Sequence, residues 1–277
     1  MGIALCMLGC SDDDDQVTTT STVPFSLTAS LSPRSSDAED TGILQGNWDA
    51  NSQLAVIKTG SSGVPKSILT RKTDSSDTFT GNLSTLVKNE NEIAVFYPAA
   101  AITANSSDTL TQTLNLSGQD GTLAGITNYD YLWAQCKAGM NETTGSSACE
   151  MTSLVTIGKF QFTVNGGSPL NNITRITITA TAGTLYSSAV MKLKNGEFSS
   201  TQTGNITIKN KAGISGTTYI SFFPSEAQLH FTLLPPPVKC MRQLLRQPSN
   251  WRKAKYTKLR HSLALLLPSA KGRRLLL

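Results

Sequence analysis

The chain has 277 residues and a mass of 29.6 kDa, which is long enough for two domains of ordinary size or one large all-β domain. Ser, Thr, Asn and Gly are abundant, 39% of the residues are hydrophobic and 16% are charged, a composition that excludes a helical bundle. The net charge of +5 combines two unlike segments: eleven of the 24 Lys and Arg residues and none of the 19 acidic residues follow position 238, so the body is acidic and a nucleic-acid partner is not expected.

The first predicted element is an export signal at the amino terminus. Residues 1–10 form a short apolar stretch that ends in Gly9 and Cys10, and four aspartates follow Ser11. A signal peptidase needs an apolar segment and a small residue at the cut, and the cysteine thiol then carries the lipid. We therefore expect a signal remnant over residues 1–10, lipidation of Cys10, and an acidic, Thr-rich tether over 11–22. A disordered acidic terminus with an unused cysteine is the alternative.

Short strand patterns separated by polar turns fill the chain from residue 18 to residue 234. The first alternates with period two, which puts Val23, Phe25, Leu27, Ala29 and Leu31 on one core face. Glycines between the strand patterns, together with the lack of helical patterns, favour β-sandwiches over parallel βαβ units. The predicted strands cover residues 23–31, 53–58, 67–71, 92–97, 109–116, 129–133, 154–164, 172–180, 189–193, 205–209, 217–223 and 227–233.

The segment 134–153 shows no regular pattern and is the predicted division between two sandwiches, over residues 23–150 and 151–238. It contains Cys136 and Cys149. In an exported protein a disulfide between them would close a loop of 14 residues and contribute about 3 kcal/mol if the geometry allows it. Two unpaired thiols in a loop are the alternative.

Three phrases stand out in the body: GNWDANSQLAV at residues 46–56, IAVFYPA at 93–99 and YDYLWA at 129–134. Together they resemble one family, the fimbrillins that build the type V pili of Bacteroidetes. The acidic run after Cys10 also resembles the surface-export signal of lipoproteins in these bacteria. One departure is IGKFQFTV at 157–164, where the family usually has a His-hydrophobic stretch. The resemblance implies an all-β fold of two antiparallel transthyretin-like β-sandwich domains in tandem.

The same resemblance implies a function. It suggests a structural or adhesive subunit of a bacterial surface fimbria, exported as a surface-exposed lipoprotein and held to the outer membrane by its lipid anchor. Its partners would be other fimbrial subunits, joined by donor-strand exchange, and a trypsin-like maturation protease. Arg34, directly after the first predicted strand, matches the family's cleavage position. An uncleaved loop arginine is the alternative.

The basic tail, residues 239–277, does not fit this architecture. It holds eleven Lys and Arg and no acidic residue, and it has few strand-forming patterns, whereas a fimbrillin ends with a short turn and a last strand. We therefore expect the tail to be out of frame. A polybasic anchor to anionic lipid or a nucleic-acid-binding tail are the alternatives.

The titratable residues of the body show no catalytic pattern. His230 lies in a predicted strand, and Asp49, Glu90, Glu92 and Asp130 border strands or turns without a partner motif. With two histidines and five scattered cysteines in the chain, a zinc site is also hard to assemble. We expect a protein that is not an enzyme, with no catalytic residue, no metal and no cofactor.

The alternative function is that of a surface glycan-binding lipoprotein. Its platform would consist of Trp48, Tyr129, Tyr131 and Trp133. Burial distinguishes the two functions, because rings packed in a core favour the fimbrial subunit, whereas a coplanar exposed set favours sugar binding.

Overall fold

A computed structural model describes residues 21–31, 46–60, 64–73, 77–103, 111–163, 168–214 and 216–234. Strands account for 61% of these residues and helices for 5%, which confirms the predicted all-β class. The one α-helix of the described residues, α1, spans only Leu123–Ile126. Within these ranges we find no helix with the length and apolar character needed to cross a membrane.

Sixteen strands form four sheets in the described part of the chain. Their bounds are β1 Thr22–Leu31, β2 Gln53–Lys58, β3 Ser67–Arg71, β4 Thr78–Ser84, β5 Glu92–Tyr97, β6 Thr111–Asn115, β7 Leu132–Lys137, β8 Gly139–Met140, β9 Gly145–Ser153, β10 Thr156–Gln161, β11 Ile173–Gly183, β12 Tyr186–Lys192, β13 Phe198–Thr203, β14 Ile206–Ile214, β15 Thr217–Phe222 and β16 Ala227–Leu234.

The largest sheet closes into a ring. Its strands follow the order β1-β4-β3-β2-β5-β7-β9, β9 returns to pair with β1, and β8 adds to the other side of β9. The pairing of β1 with β9 is parallel, with Phe25 opposite Gly145 and Leu31 opposite Met151, whereas all the other described pairings are antiparallel. The expectation of purely antiparallel pairing is therefore wrong at this one seam.

Two ring strands, β2 and β5, are buried on both faces, which explains their continuous apolar sequences. One face of each strand points into the ring core, and the other packs against the second half of the chain. The ring-core residues are Leu54, Val56, Ile93 and Val95, and those of the other core are Ala55, Ile57, Ala94 and Phe96.

The second half of the chain contributes three smaller sheets, ordered β10-β15, β14-β11-β16 and β13-β12-β6. β6 precedes the ring strand β7 in sequence, yet it pairs with β12 in the last of these sheets. The turn that follows β6 also reaches across, because Tyr219 of β15 donates its N–H to the Gly121 carbonyl at 2.9 Å. The two halves therefore interlock, and they share the core that covers the outer face of β2 and β5.

The segment 134–153 is not the irregular loop that the sequence predicts. It contains most of β7 together with β8 and β9, and its pattern is hidden because the half-buried positions of β9 include Gly145, Ser147 and Cys149 instead of large apolar residues. The chain leaves the ring at Leu154 and Val155, between β9 and β10. The division of the chain at residue 150 stays a prediction.

Candidate functional site

The strand β1 is the closing element of the ring, and its sequence explains how it fits. Phe25 is 2% exposed and Leu27 and Ala29 are fully buried, while Val23 and Leu31 are half-buried at the two ends. The predicted core face is therefore confirmed. Residues 22–28 pair with β4, and residues 25–31 pair with β9, so both sides of β1 are hydrogen-bonded. No other described strand joins β4 to β9.

The loop before β2 supports β1 from inside the ring. Trp48 is 2% exposed, and its indole Nε1–H donates to the Ala29 carbonyl oxygen at 2.6 Å. The Trp48 ring meets Phe79 and Tyr97 edge-on, with centroid distances of 5.0 and 5.2 Å. Arg71 Nη1 donates to the Trp48 carbonyl oxygen at 2.5 Å, which fixes the backbone of the same loop.

Two of the three phrases that resemble fimbrillins meet at this point. Trp48 comes from the first phrase, and Tyr97, which its ring contacts, comes from the second. Asp130 of the third phrase is fully buried, and its charge acts on both Asp49 and Tyr97. Spacing along the chain gives no indication of this proximity, because strand pairing brings residues 48, 97 and 130 together.

Burial is the main cause of raised pKa values at two side chains of this cluster, Asp49 and Tyr97. Desolvation raises the pKa of the Asp49 carboxyl above 3.8; Arg71 lowers it and Asp130 raises it. Desolvation also raises the pKa of the Tyr97 hydroxyl, and the carboxylates of Asp130 and Asp49 raise it further. The cluster lies in a packed interior beside β1, so its geometry supports the ring rather than exposing an acid and a base to a substrate.

The aromatic side chains of the alternative glycan platform do not form one exposed surface. Trp48 lies in the ring core, and Tyr131 stacks on Phe223 with an interplanar angle of 12° and donates its hydroxyl to the Asn115 carbonyl at 2.7 Å. Trp133 is half-buried against the second half and donates Nε1–H to the Leu193 carbonyl at 3.1 Å. Tyr129 is also half-buried and packs against both cores. These rings pack within and between the two halves, which favours the fimbrial subunit.

The remaining titratable candidates do not converge. Glu90 forms an exposed ion pair of 3.1 Å with Lys137, and Glu92 accepts a hydrogen bond from Gln135 at 3.1 Å. His230 is half-buried in β16 opposite Thr179. Among the residues with described positions, no group of three His, Cys, Asp or Glu side chains could hold a metal ion.

A cleft of about 330 Å³ opens beside the start of β1. Val23 of β1, Val87 and Met140 form its apolar side, and Lys88 and Glu142 contribute charged groups. Because Val23 belongs to the closing strand, the cleft is one end of the same seam.

The predicted cysteine pair lies next to that seam. Cys136 of β7 and Cys149 of β9 are free, half-buried thiols that pack against the ring core. Ala29 of β1 lies opposite Cys149 in the parallel pairing. Sequence analysis found both cysteines but missed Ser147, whose hydroxyl donates to the Cys136 sulfur at 3.2 Å.

Several predictions fall outside the described residues. They are the signal remnant over residues 1–10, the lipidation of Cys10, the cleavage after Arg34 and the assignment of residues 239–277 as an out-of-frame tail. The acidic tether is outside as well, apart from its last two residues.

No family model and no curated protein matches the chain. Solved structures that are similar to it include a candidate cell adhesion protein from Bacteroides ovatus, with 15% identity, a TM-score of 0.49, and coverage of 77% of this chain and 84% of that one. A candidate cell adhesion protein from Bacteroides uniformis has 15% identity, a TM-score of 0.47, and coverage of 76% and 80%. A fimbrial assembly protein from Parabacteroides distasonis has 10% identity, a TM-score of 0.42, and coverage of 77% and 82%.

Two of these neighbours are candidate cell adhesion proteins and one is a fimbrial assembly protein, all from Bacteroidetes. At identities of 10–15% and TM-scores below 0.5, the function of this chain has to be derived from its own geometry.

Proposed function

We propose that this protein is a structural or adhesive subunit of a bacterial surface fimbria, and that it assembles when β1 is replaced by a strand of another subunit. The observation that carries the proposal is that β1 closes the ring by joining β4 to β9. It is also the first described element of the chain, so a single cut after it separates it from the rest.

Removal of β1 would leave the ring with two open strand edges and an apolar groove. The edges would be the backbone of β4 at residues 78–84 and that of β9 at residues 145–151, which now pair with β1. The groove would be the space that Phe25, Leu27 and Ala29 fill. Open edges of this kind accept an extended segment, which supplies main-chain hydrogen bonds and side chains at alternate positions.

Refilling the groove would recover the burial of the large apolar side chains of β1. Fully buried Phe and Leu side chains contribute about 1.5–3 kcal/mol each, so equivalents of Phe25 and Leu27 would supply about 3–6 kcal/mol before any other contact. Main-chain pairing on two sides adds specificity of register, because a shift by one residue would turn the apolar side chains outward.

The maturation steps belong to the same proposal. Cys10 would carry the lipid that holds the exported chain at the outer membrane, and a trypsin-like protease would cut after Arg34, three residues beyond the end of β1. The two halves would correspond to transthyretin-like sandwiches in tandem, interlocked through β6.

Cleavage of the full chain tests the proposal. Limited trypsin treatment, checked by amino-terminal sequencing, should produce chains that begin at residue 35 and then form polymers seen by light scattering. The Arg34→Ala variant should resist this cut and stay monomeric, whereas Arg34→Lys, which trypsin still recognises, should behave like the wild type. Equal polymerisation of Arg34→Ala and the wild type would contradict the maturation step.

A peptide competition separates strand replacement from unspecific aggregation. A peptide of residues 21–34, added in excess to cleaved chains, should refill the groove and block polymerisation. The same peptide with Leu27→Asp should fail, because a carboxylate would replace a fully buried side chain. If both peptides block polymerisation equally, or neither does, the groove is not the site of assembly.

A further inference from the structure

Cys136 and Cys149 face each other across a gap in the pairing of two ring strands. Leu132 pairs with Ser153 and Trp133 with Thr152 at one end of the gap. At the other end, the pairs are Gly139 with Ser146 and Met140 with Gly145. Both ends have the same register, so counting inward from either of them places Cys136 opposite Cys149. Between these ends, the described ladder contains no further pair.

A side chain of β9, that of Ser147, contacts β7 within this gap. The Ser147 hydroxyl oxygen lies 2.7 Å from the Lys137 carbonyl oxygen and 3.2 Å from the Cys136 sulfur, within hydrogen-bonding distance of both. Directly opposite residues of antiparallel strands have Cα atoms about 4.5–5.5 Å apart, which falls within the range of about 4.4–6.8 Å that a disulfide spans.

We propose that Cys136 and Cys149 form a cross-strand disulfide that joins β9 to β7 at the centre of this gap. The bond would supply the connection that the ladder lacks there. Both sulfurs are half-buried, so a small reagent or an oxidoreductase can approach them while the ring core limits other partners.

The reaction is a thiol–disulfide exchange with an oxidised dithiol oxidoreductase or a small-molecule disulfide. The Cys136 thiolate attacks one sulfur of the reagent and expels the other as a thiolate, which leaves a mixed disulfide on Cys136. Cys149 then loses its proton and attacks the Cys136 sulfur, expelling the second reagent thiolate. Two electrons pass to the reagent, and the two cysteine protons end on its two thiols.

The environment of Cys136 suits the first step. The neighbouring Cys149 thiol lowers the pKa of Cys136; burial opposes this effect and the Ser147 hydroxyl assists it. The same interaction raises the pKa of Cys149, as does its burial. The Ser147 hydroxyl, 3.2 Å from the Cys136 sulfur, can stabilise a thiolate there, so we assign Cys136 as the attacking thiol and Cys149 as the resolving one.

The consequence for assembly rests on the proposed function. Residues 145–151 of β9 pair with β1, and Cys149 lies opposite Ala29. When β1 leaves, β9 becomes an edge that is tied to β7 and β8 at its ends only. The disulfide would keep this edge in register for the replacing strand.

Peptide mapping of the full chain tests the bond. Trypsin cuts after Lys88, Lys137 and Lys159, so Cys136 lies in the peptide 89–137 and Cys149 in the peptide 138–159, each with one cysteine. After incubation with glutathione disulfide and alkylation of the remaining thiols, an unreduced digest should contain the two peptides joined, at their summed mass less two hydrogen atoms. Cys136→Ser and Cys149→Ser should each abolish this species. Alkylation of both cysteines in the wild type, or their linkage to other peptides, would overturn the proposal.

Hydrogen exchange tests the consequence. After cleavage at Arg34 and removal of β1, amides of β9 should exchange about tenfold more slowly in the oxidised chain than in the reduced chain, since the bond opposes local opening. The Cys149→Ser variant should show the fast rate under both conditions. Equal rates in the oxidised and reduced wild type would overturn the role of the bond at the edge. If the bond forms but cleaved chains do not polymerise, the proposed function fails while the disulfide stands.

Discussion

The indole N–H of Trp48 donates a buried hydrogen bond of 2.6 Å to the main-chain carbonyl of Ala29. Trp48 lies in the loop before β2, whereas Ala29 lies in the closing strand β1, so the bond connects the ring interior to the element that completes the ring. Ala29 also donates its own N–H to the Asp77 carbonyl at 2.9 Å. The carboxyl-terminal half of β1 is thus held by a side chain as well as by its neighbouring strands.

Replacing Trp48 with Phe should loosen β1. The variant keeps an aromatic ring but removes a donor from a buried carbonyl, which costs about 1–3 kcal/mol. We expect hydrogen exchange of the amides of residues 22–31 to become at least about fivefold faster, measured by mass spectrometry of the full chain.

The matched control for this prediction is Trp133→Phe. It also removes an indole hydrogen bond, to the Leu193 carbonyl at 3.1 Å, but that bond does not involve β1. Exchange in residues 22–31 should stay at the wild-type rate. An equal effect of the two substitutions would show that Trp48 has no particular role at the closing strand.

Truncating two neighbouring side chains of β1 should change the free energy of unfolding by very different amounts. Leu27 is fully buried in the ring core, so Leu27→Ala should lower the free energy of unfolding by about 2–5 kcal/mol. Thr28, the next residue, is exposed, and Thr28→Ala should change it by no more than about 0.5 kcal/mol. Urea denaturation of the two variants measures the difference. Similar losses would mean that the face assignment of β1 is wrong.

Sequence patterns predict best the strands whose buried positions hold large apolar side chains. Residues 53–58, 67–71 and 92–97 match β2, β3 and β5 at both ends, since Leu, Ile and Val mark the buried positions. The closing strand is found for the same reason, one residue short at its start. The near absence of helix from the described residues also follows from composition.

The strands that sequence patterns miss have interrupted or weak patterns of large buried side chains. In β4, Gly81 and Asn82 stand between the buried Phe79 and Leu83; β9 buries only Met151, and β13 buries none of its residues fully. The parallel seam between β1 and β9 joins residues about 120 positions apart, and the pairing of β6 with β12 also crosses from one half to the other. Local periodicity contains no information on such pairings, so the contact of Trp48 with Ala29 could not be predicted either.

Gly145 should tolerate no side chain while Phe25 occupies its present position. A Cβ atom at Gly145 would lie 2.7 Å from Cδ2 of Phe25 and would also collide with the Met140 sulfur. Met140 can move, but the Phe25 ring is packed in the core, so Gly145→Ala should destabilise the folded chain by about 1–3 kcal/mol. Thermal or urea unfolding measures the loss.

A second substitution identifies the cause of that loss. Phe25→Leu should cost stability alone but should cost less in the Gly145→Ala background, because the smaller side chain makes room for the new methyl group. Ser146→Ala, at the exposed neighbouring position of β9, is the control and should be nearly neutral. Strictly additive effects of the Phe25 and Gly145 changes would contradict the contact.

The half-buried carboxyl of Asp49 should make the folded chain less stable as the pH rises. Burial raises its pKa above the ordinary value of 3.8; Arg71 opposes this shift and the charge of Asp130 adds to it. A carboxyl with a higher pKa in the folded state holds its proton more tightly when folded. Its favourable contribution is therefore present below the unfolded-state pKa and is lost as the pH rises through the folded-state pKa.

The substitution Asp49→Asn should remove the loss of stability that accompanies ionisation of Asp49. The melting temperature of the wild type should fall more steeply than that of the variant as the pH rises from 3.8 through the raised pKa of Asp49. Asp130→Asn should lower the pKa of Asp49 by removing a nearby negative charge, and so move the wild-type decrease to lower pH. Thermal unfolding at constant ionic strength measures all three chains. Identical pH profiles would show that burial beside Trp48 does not affect the titration of Asp49, and that water reaches this side of the closing strand.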